Sequence, residues 1–174
     1  MLLLGNAFAF VGCALMIAVG LIKKKKNMLI AQTAQFTFQS LSNLVLGSVN
    51  GFFSCLLSVV RIFVFTKFKV TVWLKLAFLA VQFAFSLWMG ADSFYEWVPF
   101  MSVVAYTWYL DTDNPIIFKL VNLLGVILWT FHDIHYLNYV AFAFDILTMV
   151  STLAGIALLL KDKKKDVSEK EKNT

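Results

Sequence analysis

Asp145 is the residue with the strongest claim to chemistry. It stands about two turns into the apolar run Leu137 to Leu160, where an unpaired carboxylate costs roughly 2.5 to 3.5 kcal/mol on membrane-insertion scales. Protonation, a partner such as His132 or Arg61, or a water-filled cavity must compensate that charge. His132 lies thirteen residues earlier, near the outer end of the preceding run, and histidine is the side chain that titrates nearest neutrality. Across one cavity the two can relay a proton. The competing reading is a structural pair, or an acid placed near a lipid headgroup.

Two polar stripes come next. Gln32, Gln35, Gln39 and Ser42 or Asn43 recur at spacings of three and four, as do Asn122, Gly125, Trp129 and His132, which puts each set on one face of a helix. Amides offer donors and acceptors, and an indole offers a flat apolar face with one donor. Facing each other, Gln35, Gln39, Asn122 and Trp129 can bind a polar metabolite by hydrogen bonds and stacking, with His132 and Asp145 setting polarity. The plainer reading is that such residues bind helices to one another, at about 0.6 to 2 kcal/mol per contact. Arg61, with Ser58 three residues before it, is the gating candidate: its stem can snorkel to the interface, or its guanidinium can bind an anionic group or lock a cytosolic gate against Asp111 or Asp113.

No P-loop, HExxH, GxSxG, paired-cysteine or dinucleotide motif occurs, and acids and histidines do not cluster at one membrane face as an embedded enzyme requires. Neither an enzyme nor a metal or cofactor site is therefore expected. Cys13 and Cys55 sit in apolar segments and read as small buried hydrophobes.

The elements that must hold these residues follow from composition. Apolar residues make up 60% of the 174 and charged residues only 14%, where soluble domains carry about a quarter charge. Two prolines and eight glycines leave few breakers, so the runs predict helices that satisfy their own backbone in lipid. They are Leu2 to Ile22, Met28 to Val49, Phe52 to Phe65, Val70 to Met89, Ser93 to Leu110, Pro115 to Phe131 and Leu137 to Leu160, an all-α protein of seven transmembrane helices. The first is expected to be retained rather than cleaved, since KKKK follows it in place of a small-residue cleavage site.

Orientation follows from the basic residues. With Lys23 to Lys26 inside, seven crossings put Lys67, Lys69, Lys75, Lys119 and the lysines of the tail on the same face, and Asp92, Glu96 and Asp133 opposite. The N-terminus is then outside and the C-terminus cytosolic. Shifting the first three runs by ninety positions pairs Gln32 with Asn122, Gln39 with Trp129, Ser42 with His132 and Ser58 with Thr148. The expected organisation is two parallel three-helix repeats, residues 1–69 and 92–160, joined by a linker helix over 70–91, with a disordered charged tail at 161–174.

The segments GSVNGFFSCLLSVVR, ending at Arg61, and WTFHDIHYLNYVAFAFD, from Trp129 to Asp145, resemble those of the YgjV-type bacterial inner-membrane proteins. That resemblance implies a fold and a location in the cytoplasmic membrane rather than an activity. More remotely, the three, one, three layout is similar to the SWEET sugar transporters and PnuC vitamin transporters, which implies a central substrate site and alternating access by rocking of two bundles. The expected function is transport of a neutral or zwitterionic polar metabolite, with a non-transporting accessory subunit or sensor as the alternative. The expected partners are the substrate, the bilayer and a second copy of the chain, and no nucleic acid.

Overall fold

The computed structural model describes residues 2–46, 49–88, 93–135 and 139–172. Within them all regular structure is helical: α1 Leu2–Leu21, α2 Lys25–Leu46, α3 Val49–Lys67, α4 Val72–Trp88, α5 Phe94–Tyr109, α6 Pro115–His135 and α7 Tyr139–Lys172. Short polar side chains start the helices. Thr71 Oγ1 accepts from Leu74 N at 3.3 Å, and Asn114 Oδ1 accepts from Ile116 N at 2.9 Å, so each caps orphan amides of a first turn. Pro115 follows Asn114 at the first helical position, where a missing N–H costs nothing.

The third run, expected from Phe52, is helical from Val49, and its 19 residues reach about 28 Å, close to a hydrocarbon core of about 30 Å. A larger difference is at the other end of the chain. The tail expected to be disordered continues α7 as far as Lys172. No glycine or proline interrupts residues 161–174, lysine and glutamate are good helix formers, and Lys23 Nζ meets Asp162 Oδ2 at 2.5 Å, which ties the first turn of the extension to the α1–α2 connection.

Leu3–Leu21 and Phe142–Lys165 are long and apolar enough to cross a membrane, while Val72–Trp88 and Pro115–Phe131 are apolar but shorter. α2 has the length, yet it carries Gln32, Gln35, Gln39, Ser40, Ser42 and Asn43, which lowers its hydropathy. Burial explains that composition. Among the described residues the buried set is richer in polar than in apolar side chains, whereas Leu3, Phe10, Phe63, Trp73, Val150 and Leu153 are exposed. A soluble protein does the reverse; lipid is the solvent that suits this surface.

α2 packs between α1 and α3, α6 packs between α5 and α7, and α1 meets α7. α4 lies against α5 through Phe83 with Trp97 and Phe100, and against α3 through Phe78 with Phe65 and Phe85 with Phe53. The α1–α7 contact is made by small residues. A Cβ on Gly20 would sit 2.7 Å from Thr152 N, and one on Gly155 would meet Gly20 O and lie 2.9 Å from Lys119 Nζ, so both glycines are needed for this approach. Lys119 of α6, 1% exposed, donates to Val19 O at 3.3 Å and to Gly20 O. It satisfies carbonyls left open by the end of α1 and puts a cation at the negative end of that helix.

At this lysine-rich end Val19, Met28, Ile62, Phe65, Tyr106, Leu110 and Phe118 form one apolar cluster. Met28 and Phe118 are among its most fully buried members. Buried polar side chains adjoin it, beginning with Tyr106 itself, Thr107 and Lys119.

Candidate functional site: a polar seam between two helix groups

Four helices meet through side-chain hydrogen bonds next to the apolar cluster. Tyr106 of α5 donates its hydroxyl to Gln32 Oε1 of α2 at 2.6 Å, and Gln32 Nε2 donates to Asn122 Oδ1 of α6 at 3.1 Å. Arg61 of α3 donates from Nη1 to Thr107 Oγ1 of α5 at 2.8 Å and from Nη2 to Ser58 Oγ at 3.3 Å. Its guanidinium lies 4.9 Å from the centroid of the Tyr106 ring. Adjacency of Tyr106 and Thr107 on α5, and the three-residue spacing of Ser58 and Arg61 on α3, bring both bond sets into one seam.

Arg61 faces the interior. It is 3% exposed, so it does not snorkel, and it reaches neither Asp111 nor Asp113: Asp111 is taken by Lys75 at 2.8 Å. Its neighbours are two neutral hydroxyls and a ring, and its buried Nε has no hydrogen-bond partner. An uncompensated buried cation costs several kcal/mol. The ring offsets about 0.5 to 2 kcal/mol and each bond to a hydroxyl about 1.5 to 3, so the neutral shell offsets part of that cost and supplies no counter-ion.

The other expected site residues divide. Gln35 is buried one turn from Gln32 on the same face, and Asn122 is in the seam. Gln39 turns toward α1, with Nε2 4.0 Å from Cys13 Sγ. Trp129 is 39% exposed, so its indole is not enclosed alongside Asn122. Asp145 is buried between α7 and α6, with Oδ2 3.3 Å from Thr130 Oγ1; it is a second polar locus, apart from Arg61. The side chain of His132 lies outside the described residues. Tyr106, Thr107 and Lys119 were not among the expected site residues, although Tyr106 and Thr107 are adjacent hydrogen-bonding residues inside the run MSVVAYTWYL.

An all-helical bundle with an apolar exterior and a hydrogen-bonded polar interior is an integral membrane protein. Residues 3–163 match the Imp-YgjV model, described as a bacterial inner membrane protein, and the chain belongs to that family. No curated protein and no solved structure matches the chain.

Proposed function

We propose that this protein is a small-molecule transporter of the bacterial inner membrane, moving a polar metabolite between α1–α3 and α5–α7 by alternating access. The observation that carries the reading is the polar seam of Gln32, Tyr106, Asn122 and Arg61 adjoining an apolar cluster through Tyr106, which belongs to both. Polar groups are costly inside a membrane and are kept there mainly by function. In this reading all seven helices span, the N-terminus is outside, and the apolar cluster is the closed cytosolic gate, beneath which Arg61 and Ser58 lie.

A repeat of three helices, one linker and three helices is supported by the register of burial. The buried positions Ser58, Arg61, Ile62 and Phe65 of α3 recur ninety residues on as Thr148, Ser151, Thr152 and Gly155 of α7. Met28, Gln35 and Ser40 recur as Phe118, Gly125 and Thr130. Close approaches repeat as well: Gly12 faces the Gln35 backbone, and Ser102 faces Gly125. Gln32 and Asn122, ninety residues apart, bond to each other, as equivalent residues do on a two-fold axis. Parallel repeats of this kind rock about a site on their axis.

The same mutual bonds also serve a non-transporting partner subunit, and flux separates the two. Reconstituted protein should accumulate at least one labelled polar metabolite from a broad panel above protein-free liposomes. Failure across the panel, together with tight copurification of another membrane protein, would favour the partner subunit.

A further inference from the structure

We propose that Arg61 and Thr107 form the docking point for the anionic group, carboxylate or phosphate, of a free small molecule. The proposal rests on the transport reading only for the word substrate. Arginine has five N–H donors and no acceptor. Thr107 and Ser58 use one on each Nη, and the buried Nε–H has no partner. Among the described residues no carboxylate pairs with Arg61, while Lys75 already occupies Asp111.

The unpartnered Nε–H selects the chemistry. Nε–H and a neighbouring Nη–H form the fork that matches two oxygens of a carboxylate or phosphate. Thr107, wholly buried, accepts from Arg61 and keeps its own hydroxyl proton for an incoming oxygen. Tyr106 holds the guanidinium from one face while its hydroxyl is committed to Gln32, so the fork is pre-oriented. A metal or organic cation would meet donors and a like charge. A neutral sugar would leave the charge uncompensated. Gln32, bonded to the Tyr106 hydroxyl, and Asn122, bonded to Gln32, are placed for the remainder of the ligand.

The source is a free solute rather than a lipid headgroup, because Arg61 is enclosed by α3 and α5 rather than on the lipid-facing surface. The test is thermal unfolding of the purified protein in neutral detergent with saturating succinate, glutamate or inorganic phosphate, with glucose as control. At least one anion should raise the melting temperature by several degrees, and glucose should not. Arg61→Gln should weaken that anion by roughly a hundredfold, and Arg61→Lys by roughly tenfold because it keeps charge without the fork. Where Arg61→Gln does not fold, Thr107→Val carries the test, with a loss of roughly threefold to tenfold.

No stabilisation by any of the three anions, or stabilisation unchanged by the substitutions, overturns the site. So does Arg61-dependent stabilisation by phosphatidylglycerol alone, relative to phosphatidylcholine. Anion binding without flux in liposomes retains the site and removes the transport reading. Flux of a neutral solute with no anion effect does the opposite.

Discussion

Each bond in the seam makes a separate claim about energy. Gln32 and Asn122 should couple by about 0.6 to 1.7 kcal/mol in a double-mutant cycle of Gln32→Leu and Asn122→Leu, read from unfolding in mixed micelles; additivity would mean the 3.1 Å contact contributes nothing. Tyr106→Phe removes the donor at 2.6 Å and leaves one lone pair of Gln32 unmet, a loss of about 1 to 3 kcal/mol. The ninety-residue offset aligned Gln32 with Asn122 as equivalent repeat positions, and the hydrogen bond between them emerged only in the structure. Arg61 was legible as a residue and not as a contact. Thr107 is 46 positions away, and helical spacing assigns a face without saying which neighbour covers it. Trp129 shows the same limit: spacing puts it on the face of Asn122, yet it is 39% exposed.

The helices were read well where an apolar run ends in a strong signal. Asn114 and Pro115 fix the start of α6, and the lysines from Lys23 separate α1 from α2. At the far end of α7 charge suggested a solvated, disordered tail, while the helix, which runs to Lys172, accords with the helix propensity of lysine and glutamate and with the contact to Lys23. That contact is testable by pH. Lys23 holds the Asp162 carboxyl below its ordinary value of 3.8, so it favours the ordered extension above that pH and the effect fades as pH falls through the lowered value. Spin labels on α7 beyond Leu160 should therefore gain mobility in acid and in high salt, and Asp162→Asn should show that mobility already at neutral pH. At the α1–α7 crossing, Gly155→Val should destabilise by about 1 to 3 kcal/mol, since a Cβ there meets the backbone of α1 as well as Lys119. Measured stability equal to wild type would place that crossing elsewhere.

For the whole molecule, composition was enough to give lipid as the solvent, and the family match over residues 3–163 agrees. Orientation rests on the lysines, so a green fluorescent protein fused after Thr174 should fluoresce and an alkaline phosphatase fused there should be inactive; the opposite pattern would invert the topology. The central claim is that substrate passes through the seam between α2 and α6. Gln32→Leu with Asn122→Leu removes both ends of the hydrogen bond that joins those helices. Uptake of labelled polar metabolites into proteoliposomes measures the claim directly. The account predicts uptake above empty liposomes by the unsubstituted protein and its loss in the double variant at equal incorporation. Uptake by the unsubstituted protein no greater than in empty liposomes, or uptake indifferent to the double substitution, would contradict it.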